Sequence, residues 1–315
     1  MAGTRVANIA VVVLLFAAAF TLADAALGTA QQDAYWCPMH PGVRSPTPGK
    51  CPLCAMTLVA IRAPAIGEYR MEVNVMPTAQ GRGLRGLRLR LRNPADGAPV
   101  TDLVTVHEKP LHLFVISRDL TYFAHAHPEE EGSGTFLLKH ELPPGEYVVI
   151  ADFLPATSTA QMVHRAIVSP GLRRSLIPLA VTPPKPDIPD ASARASGNPS
   201  SGAAEIIVDG VRVRLEAADL VGGQMALLRF HLFNASDGTP IRDLEPYLGA
   251  AGHVLLANTS LTDAVHGHPE EVGTESSTIT FRPFLPGAGI AKLWLQFQRR
   301  GNVTTAPFVI EIQEP

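Results

Sequence analysis

The sequence predicts an all-β protein, in which a small cysteine- and histidine-rich knuckle precedes two tandem immunoglobulin-like antiparallel β-sandwiches. Three observations lead to this fold class. All three cysteines lie within residues 37–54, and two later blocks of the chain match one another at a constant offset. Each block consists of short apolar or alternating runs separated by Gly, Pro, Asn and Asp, which is typical of strands and turns.

The N-terminus has the layout of a secretory signal peptide. Arg5 precedes an apolar run over residues 9–22, and Ala23-Asp24-Ala25 forms a small-x-small cleavage site. The alternative is an uncleaved membrane anchor, but a spanning helix needs about 18 apolar residues or more. We therefore predict a signal peptide at 1–25, a mature chain without a membrane span, and a periplasmic or secreted location.

The composition excludes several function classes. Charged residues make up 17% of the chain and its net charge is −3, so the basic footprint of a nucleic-acid-binding protein is missing. The sequence shows no Ser/His/Asp order, phosphate loop or paired catalytic carboxylates. These observations favour a binding protein over an enzyme.

Residues 33–62, called the Cys segment below, carry two pairs of metal-ligand residues. Cys37 and His40 are separated by two residues, as are Cys51 and Cys54. This spacing lets each of two tight turns present two donors, and a tetrahedral ion needs four. The alternative is a Cys51–Cys54 disulfide with Cys37 left over, since three cysteines cannot all pair within one exported chain.

Two methionines extend this donor set. Their thioethers stand beside the cysteines, and thioethers select soft ions such as Cu(I), whereas a Cys3His tetrahedron alone favours Zn(II). The candidate metal ligands of the Cys segment are Cys37, Met39, His40, Cys51, Cys54 and Met56.

The stretch YWCPMHPGVRSPTPGKCPLCAMTLV, residues 35–59, resembles the small heavy-metal-binding domain of bacterial copper and silver efflux components and copper-transporting ATPases. It departs from that family's pattern at Ala55, where glycine is common. The resemblance implies that the six residues named above occupy soft-donor positions. It also implies Cu(I) or zinc as the bound metal, silver as a further candidate, and a periplasmic metal-efflux or metallochaperone partner.

Residues 67–177 and 204–315, called repeat 1 and repeat 2, are predicted to be copies of one sandwich. Residue n matches residue n + 141 without a gap, from Asn93 and Asn234 to the Pro-Glu-Glu motifs at 128–130 and 269–271. A proline-, serine- and alanine-rich linker, 178–203, separates the copies. Both repeats loosely resemble exported YtkA-like sandwiches.

Each repeat carries three histidines at matching positions. In repeat 1 we predict a hairpin turning near Arg118-Asp119, with His112 opposite His125 and His127 diagonal on the same face. Three such imidazoles suit Zn or Cu, although a structural hydrogen-bond motif is the alternative. The equivalent residues of repeat 2 are His253, His266 and His268. Met162 and His164 are predicted to supplement the site in repeat 1, and Trp294 is expected in the core of the second sandwich.

Together these features predict an exported heavy-metal-binding protein that captures copper or silver, with zinc as the alternative, for metal handling or resistance. Two alternative functions stay open. In the first, the protein is an interaction module in which zinc holds the Cys segment folded and the sandwiches dock a partner protein. In the second, it is a redox enzyme that uses a three-histidine copper site in repeat 1.

Overall fold

The computed structural model describes residues 35–37, 42–53, 56–60, 68–81, 83–171, 203–270 and 274–315. The predicted signal peptide lies outside the described residues, as does the predicted linker apart from Ala203. Within the described ranges every regular element is a β-strand, and the all-β prediction is confirmed. These ranges contain no helix long and apolar enough to span a membrane.

The Cys segment forms a small antiparallel sheet of three two-residue strands in the order β2-β1-β3. The strands are β1 (Tyr35–Trp36), β2 (Arg44–Ser45) and β3 (Val59–Ala60).

Repeat 1 is a sandwich of two antiparallel sheets. One has the order β4-β5-β10-β9 and the other the order β12-β11-β7-β8, with β6 paired to β11. The strands are β4 (Arg70–Pro77), β5 (Leu84–Arg92), β6 (Leu103–Val104), β7 (Leu111–Ser117), β8 (Phe123–Ala126), β9 (Glu129–Gly132), β10 (Thr135–Leu138), β11 (Gly145–Pro155) and β12 (Gln161–Ser169).

Repeat 2 is also a sandwich of two antiparallel sheets, with the orders β13-β14-β15-β18 and β17-β16-β19-β20. Its strands are β13 (Ala203–Val208), β14 (Val211–Ala218), β15 (Leu227–Asn234), β16 (His253–Asn258), β17 (Ala264–Gly267), β18 (Thr278–Phe281), β19 (Gly289–Arg299) and β20 (Asn302–Ile312). Even unusual backbone conformations recur, because Leu120 (φ 59°) and Leu261 (φ 57°) stand 141 residues apart. The topology agrees with a tandem duplication.

The two repeats pack face to face through their histidine-bearing sheets, β12-β11-β7-β8 and β17-β16-β19-β20. In β7, Leu113 and Val115 point into the core of repeat 1, while Phe114 and Ile116 point the other way and are equally buried. An antiparallel sheet with one solvated face would alternate buried and exposed side chains, but all seven residues of β7 are buried. Repeat 2 covers the second face.

A shared apolar cluster holds the repeats together. Trp294 lies in this cluster and not in the sandwich core, so its predicted place was wrong. Its ring stacks on Phe123 of repeat 1, with centroids 4.8 Å apart and planes 13° apart. The buried members from both repeats are Phe114, Ile116, Val148, Ile150, Leu255, Ala257, Leu261 and Trp294.

Two hydrogen bonds between the repeats lie beside the shared apolar cluster. Lys292 Nζ of repeat 2 donates a hydrogen bond to the Leu120 carbonyl of repeat 1 at 2.7 Å. In the opposite direction, His164 Nδ1 of repeat 1 bonds to the Leu261 carbonyl of repeat 2 at 3.0 Å. Because Leu120 and Leu261 are equivalent, each repeat binds the same turn of its neighbour.

One glycine lets the interface sheet of repeat 2 close tightly. A Cβ added at Gly252 would lie 2.6 Å from the backbone oxygen of Gln296 on β19. We expect Gly252→Ala to lower the free energy of unfolding by about 1–3 kcal/mol, because the backbone has to shift. At Gly287, which is exposed, an added Cβ meets nothing within 4 Å. Chemical denaturation of Gly287→Ala is the matched control, and equal losses in both variants would contradict the prediction.

Candidate metal sites

The described part of the Cys segment brings three predicted ligands together. Cys37 and Cys51 are buried in one small cluster, and Met56 packs against it. The Cys37 amide donates to the Val43 carbonyl at 3.0 Å, and the Cys51 amide donates to the Met56 carbonyl at 2.7 Å. Each cysteine amide therefore bonds to a carbonyl five or six residues further along the chain. The other three predicted ligands, Met39, His40 and Cys54, lie outside the described residues, as does the alternative Cys51–Cys54 pairing.

The hairpin of repeat 1 has a different register from the one predicted. Phe114 lies opposite His125, and Leu113 lies opposite Ala126. Continuing this register sets His112 opposite His127 and makes His125 the diagonal neighbour. The predicted pairing of His112 with His125 was wrong by two residues, and a shift of two keeps all three histidines on one face.

A longer turn causes the shift. The Ser117 amide donates to the Tyr122 carbonyl at 3.1 Å, which leaves four residues in the loop. Asp119 organises this loop by accepting hydrogen bonds from the Thr121 amide and hydroxyl at 3.2 and 2.7 Å. A carboxylate that bonds to the backbone two residues on is a common turn former, and it favours this loop over a two-residue turn.

The imidazoles of each triad converge. In repeat 1, His112 Nδ1 lies 3.1 Å from His125 Nε2 and 3.3 Å from His127 Nε2. In repeat 2, His253 Nδ1 lies 3.3 Å from His266 Nε2. The remaining member, His268, has its ring centroid 4.3 Å from that of His266.

The two triads form a single cluster because the sheets that carry them face each other. The ring centroid of His266 lies 5.2 Å from that of His112 and 5.4 Å from that of His125. A seventh histidine, His107 of repeat 1, stacks on His268 with a centroid distance of 3.5 Å. The histidine cluster thus comprises His107, His112, His125, His127, His253, His266 and His268.

Two groups within this cluster have metal-ligating geometry. In each group, one nitrogen from every histidine lies within 4.8 Å of the others. The first group takes His112 and His125 from repeat 1 and His266 from repeat 2. The second group takes His253 and His268 from repeat 2 and His107 from repeat 1. Neither group is complete within one repeat.

Backbone carbonyls orient one histidine of each repeat. The Nε2 of His112 bonds to the Val106 carbonyl at 2.9 Å, and that of His253 bonds to the Tyr247 carbonyl at 2.9 Å. A carbonyl only accepts, so the proton resides on Nε2 and the lone pair on Nδ1.

Two other histidines are oriented across the interface. His125 Nδ1 bonds to Gln296 Oε1 of repeat 2 at 2.9 Å, and His266 Nδ1 bonds to Asp152 Oδ2 of repeat 1 at 2.7 Å. The Gln296 amide group also donates to Thr305 Oγ1 at 3.0 Å, which presents its oxygen to His125. Acceptors behind the ligating ring are the usual outer shell of a histidine metal site.

Burial keeps these imidazoles neutral. It lowers the pKa of His107 to about 4 and that of His127 to about 3. Burial, reinforced by neighbouring imidazoles, also holds the pKa values of the most buried members well below the ordinary histidine value. Neutral imidazole is the form that ligates metals. The carboxyl of Asp152 has its pKa raised by burial to about 6.

Three residues of this site were missed from the sequence. His107 has Leu248 at the matching position, so the comparison between repeats gave it no support. Asp152 and Gln296 interrupt the apolar strands YVVIADF and KLWLQF, and a polar residue in such a strand was the available signal. His164 lies outside both histidine groups, while its predicted companion Met162 packs against the shared apolar cluster.

The Cys segment lies beside the histidine cluster. A cavity of about 730 Å³ separates them. Val43 and Leu53 line it on the Cys-segment side, and His266 and His268 line it on the repeat 2 side. Met162 also lines this cavity.

Two parts of the chain match known family models. Residues 34–61 match the family model described as Heavy metal binding domain. Residues 205–314, nearly all of repeat 2, match a Domain of unknown function (DUF8832). Among curated proteins, none matches the chain.

Two solved structures are distantly similar to this chain. The Escherichia coli adhesin FdeC is 15% identical over 81% of this chain and 67% of its own, with a TM-score of 0.22. A two-domain fibronectin type III segment from chicken tenascin is 12% identical over 77% of this chain and 97% of its own, with a TM-score of 0.20.

Proposed function

We propose that this chain is an exported heavy-metal-binding protein whose Cys segment captures a soft ion, Cu(I) or Ag(I), for metal handling or resistance. The observation that carries the proposal is the Heavy metal binding domain match at 34–61, within which Cys37 and Cys51 are buried in one cluster beside Met56. Binding, and not catalysis, is the proposed activity.

The size of the Cys segment supports a role for metal in its folding. In its described part, the fully buried cluster consists of only Cys37, Cys51 and Leu58. Domains below about 40 residues seldom bury enough apolar surface to fold alone and use metals, disulfides or oligomerisation instead. A bound ion would supply that folding free energy directly, because the ligands converge only in the folded chain.

The donor chemistry supports a soft ion over zinc. Met56 packs against the cluster that contains Cys37 and Cys51, and its carbonyl accepts a hydrogen bond from the Cys51 amide. A purely structural zinc site does not need a thioether at this position. Thiolate and thioether donors together select Cu(I). The predicted export would place this site in an oxidising compartment, where bound metal also protects the thiols.

Metal content per chain tests this proposal. The full-length mature protein, purified reduced and anaerobically after copper supplementation, is compared with Cys37→Ser/Cys51→Ser/Cys54→Ser. We expect the triple variant to lose one equivalent of Cu(I). The control is His231→Ala, because His231 lies on β15 away from the interface, and this variant should retain the copper. Unchanged Cu(I) content in the triple variant would refute capture by the Cys segment.

A second variant separates soft-ion capture from a structural zinc knuckle. Met56→Leu preserves the apolar packing but removes the thioether. We expect its Cu(I) affinity, measured by competition with a chromogenic chelator, to fall at least about tenfold, which is about 1.4 kcal/mol. Its Zn(II) affinity should not change. One equivalent of zinc whatever metal is offered, with no effect of Met56→Leu on Cu(I), would favour the docking-module alternative.

A further inference from the structure

We propose that the facing sheets of the two repeats bind two divalent transition-metal ions, Zn²⁺ or Cu²⁺, in three-histidine sites that each require both repeats. His112 and His125 form the first site with His266, and His253 and His268 form the second with His107. These sites are separate from the Cys segment and do not depend on the function proposed for it.

In the first site, hydrogen bonds on the outer ring nitrogens leave the inner nitrogens free to ligate a metal. His112, His125 and His266 each give their outer ring N–H to an oxygen that only accepts: the Val106 carbonyl, Gln296 Oε1 and the Asp152 carboxylate. The inner nitrogens are therefore unprotonated lone pairs. Two of these, His112 Nδ1 and His125 Nε2, face each other at 3.1 Å, where neither has a proton to donate. His127 Nε2 lies 3.3 Å from the same His112 nitrogen, and a bound cation would accept the lone pairs of His112 and His125 together.

The second site contains buried nitrogens that have no hydrogen-bond partner among the described residues. Within that part of the chain, both ring nitrogens of His268, which is 6% exposed, are unpartnered, and so is Nε2 of His107. The other nitrogen of His107 bonds to the Leu248 backbone of repeat 2, and His253 Nε2 bonds to the Tyr247 carbonyl. An unsatisfied buried polar group is costly and rare in proteins. A purely structural hydrogen-bond motif explains His253 but leaves both nitrogens of His268 and the Nε2 of His107 unsatisfied among the described residues.

The donor type indicates which ions fit. Imidazole nitrogens suit borderline divalent ions, and the sites contain no thiolate or thioether that would select Cu(I). Asp152 is an anionic group beside the first site, since it bonds to His266 and lies opposite His112 across the sheet. Three neutral imidazoles leave a fourth coordination position open to water or an exchanging ligand.

The mixed origin of the ligands has a structural consequence. Each ion would join repeat 1, through β7, β8 or the loop before β7, to β16 or β17 and the residues that follow in repeat 2. Each site therefore exists only when the repeats are docked. Metal binding and docking are then one linked equilibrium, because the ligands of each site are assembled by the interface itself. Metal should accordingly raise the unfolding temperature of the docked pair.

Zinc stoichiometry in the full chain carrying Cys37→Ser/Cys51→Ser/Cys54→Ser tests the proposal without interference from the Cys segment. We expect two equivalents of Zn²⁺ by elemental analysis after gel filtration, and an unfolding temperature that rises with added zinc. His266→Ala should remove one equivalent, and His268→Ala the other. His231→Ala, on a histidine of β15 outside the cluster, should retain both. None or only one equivalent in the cysteine-free chain would overturn the assignment, whatever copper does at the Cys segment.

Substitution of the residues that accept hydrogen bonds from the ligating histidines provides a second test, in case a histidine substitution prevents folding. Gln296→Ala and Asp152→Ala leave all six ligands in place but remove the acceptors that orient His125 and His266. Loss of such outer partners typically weakens metal affinity about 10- to 100-fold. We expect this loss at one of the two zinc sites, with unchanged far-ultraviolet circular dichroism of the metal-free variants. Unaltered zinc affinity in both variants would overturn the proposal.

Discussion

Lowering the pH of the metal-free protein from 7 to 5 is expected to remove about 3 kcal/mol or more of its free energy of unfolding. A histidine whose pKa is lower in the folded state binds fewer protons there than in the unfolded chain. Stability then falls as the pH drops below the unfolded value of about 6.5. With folded pKa values of about 4 and about 3, His107 and His127 each cost about 2 kcal/mol at pH 5.

Asp152 acts in the opposite direction and offsets part of this loss. Its folded pKa is about 6, above that of an unfolded carboxyl, so the folded state gains protons as the pH falls through that value. The gain is about 1 kcal/mol at pH 5. The pKa values of the other cluster histidines are also lowered by burial, so they add to the loss.

Urea denaturation at pH 7.5, 6.5, 5.5 and 5.0 in the presence of a chelator measures this effect. His127→Gln removes one titrating group, so the slope of stability against pH should fall by up to about 1.4 kcal/mol per pH unit. His231→Gln, outside the interface, is the matched control. Equal slopes in His127→Gln and His231→Gln, or a flat profile in the unmodified protein, would contradict burial of the cluster.

Local patterns were sufficient to predict the strands and the duplication. Alternation in LRLRLRN and apolar runs such as LHLFVIS and YVVIADF correspond to β5, β7 and β11. The constant offset of 141 holds because no insertion interrupts the stretch from Asn93 to Glu130. The side-chain period of two then placed each histidine triad on one face, even though the loop length and so the pairing were predicted incorrectly.

Contacts between the repeats were not accessible from the same patterns. Because LHLFVIS is apolar on both faces, it was consistent with a covered outer face, but nothing in the sequence identified repeat 2 as the cover. His107 depends on a turn whose counterpart carries Leu248, so its role exists only in one copy. Asp152 lies opposite His112 and Gln296 lies opposite His253, so Asp152 and Gln296 are equivalent. They stand 144 residues apart and not 141, because an insertion of three residues hides this equivalence.

The chain thus separates two kinds of donor chemistry. Sulfur donors are concentrated in the Cys segment, whereas the histidine cluster is built from nitrogen donors alone, with oxygen acceptors behind most of its rings. Soft and borderline ions are therefore expected to partition between them by affinity. The cavity between them, lined also by Met162, has described residues of both regions on its walls.

Trp294→Ala is expected to lower the free energy of unfolding by about 3–5 kcal/mol, the range for truncating a large buried aromatic side chain. Trp294 is 2% exposed, stacks on Phe123 of repeat 1 and lies opposite Leu255 within its own sheet. The substitution removes the largest side chain of the shared apolar cluster. Most of the loss should therefore be a loss of docking between the repeats.

Phe284→Ala is the matched control, because Phe284 is an aromatic residue of the same repeat that is 58% exposed. Its substitution should change stability by no more than about 0.5 kcal/mol. Zinc affinity adds a second readout, since Gln296 lies two residues beyond Trp294 on the same face of β19 and orients His125. If Trp294→Ala costs no more than Phe284→Ala, the repeats do not dock through this face. The histidine cluster would then be lost as well, because the His125–Gln296 and His266–Asp152 contacts cross the same interface.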